Sequence, residues 1–202
     1  MSGQRRVEIR GQHRLLNDFF KIDEVTVAHQ RYDGTMSADE RRLVFERGDA
    51  IAVLLFDKQT RSVVTVDQFR LPALIARRRE NPATSDGWIT ELVAGMIDEG
   101  ESPTQAVVRE TFEETGYRIE NPKPIGTFFS SPGGSSERFF LYCALVSAAR
   151  REGRGSSLAG EEDIKVFPIA VEDLFDQLAA GTIEDPKLAI AGYWLKDNID
   201  RL

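Results

Sequence analysis

Short apolar runs separated by polar turns predict a chain rich in β-strands. The runs 50–56 and 62–69 are apolar enough to be buried strands, and the polar turn 57–61 predicts that they are neighbours. Similar runs predict further strands at 88–94, 125–129, 137–146 and 164–169. Together these strands are expected to form the main sheet.

The N-terminal part of the chain has shorter alternating pieces. Residues 25–27 alternate as a strand does, the apolar pair Phe19-Phe20 lies before them, and a turn-like segment follows at 32–35. We therefore expect an N-terminal β-strand extension at residues 1–48, followed by one main domain at residues 49–202.

A helix is predicted between Ser102 and Gly116. Ser102 can cap its N-terminus, Pro103 suits the first helical position, and Gln105 has the spacing of a capping-box partner. Gly116 is a typical helix terminator. Within this helix Val108 and Phe112 are expected to form an apolar pair, with Val107 and Thr111 beside them, on the side that packs against the core.

Two more amphipathic patterns, at 171–180 and 187–198, predict C-terminal helices. The stretch 71–86 contains two prolines and three consecutive arginines, and it predicts a loop. Strands and helices do not alternate strictly. The predicted fold class is therefore α+β, with helices packed against a mixed sheet.

The central helix carries three glutamates, Glu110, Glu113 and Glu114, within a turn and a half. Like charges at this spacing repel one another, so a positive group is expected nearby. Carboxylates are hard oxygen ligands that suit Mg²⁺ or Mn²⁺, and Mg²⁺ often binds substrate phosphates as well. The alternative interpretation is a solvated acidic face.

Charge and composition exclude several function classes. A net charge of -7 at pH 7 argues against binding to nucleic acid or to an anionic membrane surface. No apolar run approaches the roughly 20 residues that span a bilayer. The single cysteine, Cys143, lies in an apolar run and is expected to be a buried hydrophobe. A cytoplasmic location is the expectation.

The glutamates belong to a longer pattern of fixed identities that resembles the signature of the Nudix hydrolases. The residues that carry the resemblance are Gly95, Glu101, Arg109, Glu110, Glu113, Glu114 and Gly116. Thr111 departs from the pattern, because the family usually has a larger aliphatic residue at this position. The resemblance implies a Nudix fold, which is an α/β/α sandwich around a mixed β-sheet.

The resemblance also implies a metal site with two to three Mg²⁺ or Mn²⁺ ions. Its expected ligands are the carbonyl of Ala94 and the carboxylates of Glu110, Glu114 and Glu162. Gly95, Glu101, Arg109 and Gly116 would have structural roles in the signature.

The general base is less well defined by the resemblance. The family has an acidic residue two places before the metal-binding glutamate of this loop, and here that place is Gly160. Glu161 is the nearest carboxylate and is expected to be the base, with Glu162 and the helix glutamates, Glu113 among them, as alternatives.

Stretches outside the signature, such as VDQFR and SSPGGSSER, resemble the bacterial ADP-ribose pyrophosphatases. That resemblance implies hydrolysis of ADP-ribose to AMP and ribose 5-phosphate by a homodimer whose sites are shared between subunits. Phe19 would stack on adenine, Arg42 and Arg70 would contact the phosphates, and Glu137 would hold the terminal ribose.

Alternatives remain open for both residues and function. Phe19 could serve packing, Arg42 and Arg70 could form surface ion pairs, and Glu137 could pair with Arg138. The substrate could be another nucleoside diphosphate sugar such as GDP-mannose. A catalytically silent nucleotide-sugar sensor is a third hypothesis.

Overall fold

The computed structural model describes residues 5–147, 151–152 and 163–202. The predicted base and metal ligand, Glu161 and Glu162, lie outside these residues. The chain divides into two compact units, one formed by residues 1–49 and 129–138 and the other by residues 50–128 and 139–202.

The first unit is built on a three-stranded antiparallel sheet in the order β1-β2-β3. Its strands are β1 (Val7–Asn17), β2 (Lys21–His29) and β3 (Glu40–Glu46). The segment 129–138 belongs to this unit because the backbone N–H of Phe45 donates to Gly134 and that of Ser136 donates to Phe45.

The second unit is built on a mixed sheet in the order β10-β5-β4-β9-β8, in which β4 runs parallel to β9. Its strands are β4 (Ala50–Asp57), β5 (Ser62–Phe69), β6 (Trp88–Glu91), β7 (Val93–Met96), β8 (Lys123–Phe129), β9 (Arg138–Val146) and β10 (Ile164–Ala170). The predicted single strand at 88–94 is two strands, because β6 pairs with β5 and β7 pairs with β4.

Helices cover both faces of this sheet. They are α1 (Leu71–Glu80), α2 (Pro103–Thr115), α3 (Val171–Ala180) and α4 (Pro186–Asn198), followed by a short 3-10 turn at Ile199–Arg201. Successive residues of a strand point to opposite faces, and β4 shows this directly: Leu54 packs in one core cluster with α3 and α4, whereas Val53 packs in another with α2. The predicted α+β class with a mixed sheet is confirmed.

The loop predicted at 71–86 is wrong over most of its length, because α1 occupies Leu71–Glu80. Proline is tolerated in the first turn of a helix, where its missing N–H has no partner to lose. This helix buries only Leu74 and has a weak apolar face. Arg77 fixes its last turn through ion pairs with Asp86 and Glu184.

The expected packed side of α2 is right in part. Val108 and Phe112 are exposed, whereas Val107 and Thr111, expected beside them, are buried together with Ala106 and Thr115. The hydroxyl of Thr111 donates to the carbonyl of Val107 at 2.6 Å, so its burial leaves no unsatisfied donor.

Candidate active site

The helix α2 begins and ends as its sequence predicts. The hydroxyl of Ser102 accepts a hydrogen bond from the Gln105 backbone at 3.3 Å, and the Gln105 side chain accepts one from the Ser102 backbone at 2.9 Å. Gly116 ends the helix in the left-handed conformation, at φ 73°. These caps fix the helix that carries the acidic residues.

Gly95 on β7 lies directly against the carboxylate of Glu110 on α2. A Cβ atom at Gly95 would lie 2.0 Å from the Glu110 Cδ atom, far inside van der Waals contact. Any larger residue would therefore push the carboxylate away from the strand. The sequence places glycine here because the helix and the strand must approach this closely.

Arg109 links three signature glutamates to the strand. Its guanidinium donates to Glu101 at 2.8 and 3.0 Å, to Glu110 at 2.8 Å and to Glu113 at 3.0 Å. It also donates to the carbonyl of Met96, the last residue of β7, at 3.0 Å. A single cation thus offsets the repulsion between these carboxylates and ties α2 to β7.

Burial and charge act in opposite directions on the signature carboxylates. Burial raises the pKa of Glu110 above its ordinary value, and the hydrogen bond from Arg109 offsets only part of that effect. Glu101 is different, because the hydrogen bond from Arg109 outweighs burial and lowers its pKa. Burial therefore dominates at Glu110, and the hydrogen bond from Arg109 dominates at Glu101.

The oxygen atoms at this position are of the chemical type that binds a hard divalent cation. The Glu110 carboxylate packs against Gly95, the neighbour of Ala94, and the Oε2 atom of Glu114 is buried. Carboxylate and carbonyl oxygens are the ligands that Mg²⁺ and Mn²⁺ prefer. Within residues 5–147, 151–152 and 163–202, no three His, Cys, Asp or Glu side chains are grouped to hold a metal ion.

Arg70 lies in the same unit, in an ion pair with Glu91. Its Nε atom donates to Glu91 at 2.6 Å and its Nη2 atom at 3.3 Å, which makes the contact bidentate. Glu91 is almost fully buried and also contacts Lys187 at 3.3 Å. Arg70 is therefore more than a surface residue, because it neutralises a buried carboxylate.

The other three predicted substrate residues lie in the first unit. The ring of Phe19 is 83% exposed and packs edge-on against Phe20, which packs in turn on Phe45. Arg42 is exposed and forms an ion pair with Glu40.

Glu137 is mostly buried within the first unit. It contacts Arg47 at 3.6 Å and accepts a hydrogen bond from the Ser130 hydroxyl at 2.9 Å. Arg138, the alternative partner of Glu137, forms an ion pair with Asp49 at 2.5 Å. Glu137 is thus held at the end of the loop 130–136 by partners on both sides.

Sequence reasoning missed the buried charge network of Glu91, Lys187 and Asp185. Glu91 is the one acidic residue in the apolar stretch WITELVAGM, and Asp185 precedes a proline at the start of α4. A lone charge inside an apolar strand, and an Asp-Pro helix start, are the sequence features that could have found them.

In the part of the chain that the structure describes, no helix is long and apolar enough to cross a membrane.

The sequence is similar to one known domain family and to several known pyrophosphatases. A model of the NUDIX domain matches residues 46–189. The ADP-ribose pyrophosphatase of Escherichia coli (strain K12) is 36% identical over 194 residues, which cover 96% of this chain and 90% of the relative. The ADP-ribose pyrophosphatase of Haemophilus influenzae is 31% identical over 98% of this chain and 90% of its own length. The GDP-mannose pyrophosphatase of Cronobacter sakazakii is also 31% identical, over 91% of this chain and 92% of its own.

Proposed function

The chain belongs to the Nudix family, and from that premise we propose that it hydrolyses the pyrophosphate bond of ADP-ribose to AMP and ribose 5-phosphate with divalent metal. The observation that carries the proposal is the packing of the Glu110 carboxylate against Gly95, with Arg109 holding the neighbouring glutamates. The similarity to ADP-ribose pyrophosphatases over nearly the whole chain supports the substrate.

The proposed metal ligands are the carbonyl of Ala94 and the carboxylates of Glu110, Glu114 and Glu162. Two to three Mg²⁺ or Mn²⁺ ions, when bound, would polarise the pyrophosphate and lower the pKa of the attacking water. The chain's own contribution is to hold these oxygens in place: α2 is capped at both ends, and Gly95 lets the Glu110 carboxylate reach the strand.

A carboxylate must also take a proton from the attacking water. Glu161 is the proposed base, with Glu162 and Glu113 as alternatives. Glu113 is half exposed and accepts a hydrogen bond from Arg109 at 3.0 Å.

Four residues outside the signature are proposed to recognise the substrate. Arg42 and Arg70 would contact the phosphates through their guanidinium groups, which can make charge-assisted hydrogen bonds. Phe19 would stack on adenine, and its exposed ring is available for such contact. Glu137 would accept hydrogen bonds from the terminal ribose.

We further propose that the chain is a homodimer with sites shared between subunits. The support is a row of exposed apolar side chains along β1, because burying such side chains against a second subunit is favourable. These residues are Val7, Ile9, Leu15 and Leu16.

A second candidate substrate is GDP-mannose, because a relative that carries the name GDP-mannose pyrophosphatase is 31% identical. A catalytically silent sensor is disfavoured, since all four signature carboxylates are present. The signature alone does not distinguish ADP-ribose from GDP-mannose, because the proposed metal site would act on the diphosphate that both substrates share.

Initial rates with saturating Mg²⁺ on ADP-ribose, ADP-glucose and GDP-mannose test the assignment. We expect the highest kcat/KM on ADP-ribose. A kcat/KM about tenfold or more higher on GDP-mannose would refute the ADP-ribose assignment, because this ratio measures which substrate the pocket favours in the transition state.

A further inference from the structure

One residue, Leu92, separates two strands that pair with different neighbours. Glu91, at the end of β6, pairs with Val66 of β5, whereas Val93, at the start of β7, pairs with Val53 of β4. The chain therefore steps from one partner strand to another within a single residue. Leu92 is buried, so its backbone N–H needs a partner outside the two ladders.

That partner is the carboxylate of Asp185, the N-cap of α4. Asp185 has a side chain that is 1% exposed, and its Oδ2 atom accepts from the Leu92 N–H at 3.2 Å. It also accepts from the backbone of Lys187 and of Leu188, as an N-cap does, and from the Lys187 ammonium at 2.7 Å. The N-cap residue of α4 is thereby hydrogen-bonded to the step between β6 and β7.

Lys187 extends this contact to the residue on the other side of the step. Its ammonium also lies 3.3 Å from Glu91, whose carboxylate is held on its other side by Arg70. Two cations and two carboxylates thus form a neutral, largely buried network around Leu92. A buried charge is stable only when it is paired and hydrogen-bonded in this way.

The step lies two residues before Ala94 and three before Gly95. The fit of Gly95 against the Glu110 carboxylate has no spare room, because even a methyl group would overlap it. A change in the direction of β7 at Leu92 would therefore move the Ala94 carbonyl relative to Glu110. Metal ligands need this kind of outer support to keep their geometry.

We propose that Asp185 and Lys187 are positioning residues of the metal site, a role that rests on the proposed function: they fix the step at Leu92 and so set the Ala94 carbonyl opposite Glu110. Neither residue touches metal or substrate in this account. Their effect reaches the site through the backbone of β7.

Binding of Mn²⁺ to the full-length protein without substrate tests the proposal, with free Mn²⁺ measured by electron paramagnetic resonance. We expect Lys187→Met to weaken Mn²⁺ binding about three- to tenfold, which is less than the roughly 10- to 100-fold loss for residues that contact a metal ligand directly. The separate variant Lys187→Arg should bind Mn²⁺ with wild-type affinity, because it keeps a cation between Asp185 and Glu91.

The matched control is Arg61→Met. Arg61 is also a cation beside the first turn of a helix on this face of the sheet, where it pairs with Glu172 of α3 at 2.9 Å. We expect it to leave Mn²⁺ affinity unchanged. A Lys187→Met protein that melts at a lower temperature but binds Mn²⁺ like the wild type would overturn the positioning role alone.

Two further outcomes are distinct from that one. If the wild type binds no Mn²⁺, the proposed metal site falls and the positioning role falls with it. If Lys187→Met does not fold, the double variant Glu91→Gln/Lys187→Met replaces it, because it removes one cation and one carboxylate together. We again expect Mn²⁺ binding to weaken about three- to tenfold. Wild-type Mn²⁺ affinity in the double variant would overturn the positioning role.

Discussion

The strands β4 and β1 differ in how far their apolar side chains are buried. Seven of the eight residues of β4 are buried, and both faces of the strand pack against helices of the second unit. In β1 every residue except Glu8 is exposed, including four large aliphatic side chains. The second unit therefore has a core of its own, whereas the first presents apolar surface to solvent.

The proposed site residues also lie in both units, with Arg70 in the second. Gly95, Glu101, Arg109 and Glu110 are held by contacts within the second unit, whereas Phe19, Arg42 and Glu137 lie in the first. We propose that Glu110 and Glu114 carry the hydrolytic chemistry, and that Phe19, Arg42 and Glu137 contribute to the choice of substrate.

The largest effect is expected at the proposed metal ligand Glu114. Glu114→Gln should lower kcat about 10²- to 10⁴-fold, because a metal ion contributes several kcal/mol of transition-state stabilisation. The control Glu120→Gln alters an exposed glutamate beyond the end of the same helix and should keep full activity. Unchanged turnover in Glu114→Gln, measured beside an intact melting curve, would refute the metal-site assignment.

A core residue of β4 should matter most for stability. Leu54→Ala removes a fully buried side chain and should lower the free energy of unfolding by about 2–5 kcal/mol. Leu145→Ala, at a half-exposed position of β9, should cost about 1 kcal/mol or less. Urea denaturation measures both values, and equal losses would contradict the assignment of the core to β4.

The exposed strand β1 should matter for assembly. Ile9→Lys places a charge on the proposed subunit contact and should shift the protein towards monomer by about 1–3 kcal/mol. Arg10→Lys conserves charge at the next position and should leave the dimer intact. In light scattering a wild-type mass near 22.7 kDa would contradict the proposed homodimer.

The smallest effect is expected at the cap of α2. Ser102→Ala removes the side-chain oxygen that accepts from Gln105 and should cost about 0.5–2 kcal/mol of stability. Ser102→Thr keeps the hydroxyl and serves as the control. Identical melting temperatures for wild type and Ser102→Ala would show that the cap does not contribute.

Local sequence rules predicted the parts of this protein whose structure is locally determined. The bounds of α2 follow from Ser102, Gln105 and Gly116, and the pairing of β4 with β5 follows from the short turn between them. In each case the residues that decide the structure are within a few positions of one another.

The features that sequence reasoning missed depend on distant contacts. The helix α1 has a weak apolar face, and its Arg77 pairs with Glu184, which is far away in sequence. At Leu92, where the chain passes from pairing with β5 to pairing with β4, the backbone N–H donates to Asp185, the N-cap of α4. No periodic pattern in a short window can report such contacts.

Product analysis tests the central claim most directly. The purified protein is incubated with ADP-ribose and Mg²⁺, with and without a chelator, and the products are separated by chromatography. The account predicts AMP and ribose 5-phosphate in equal amounts, formed only when Mg²⁺ is available. Intact ADP-ribose in the presence of Mg²⁺, or the same products in the presence of the chelator, would contradict it.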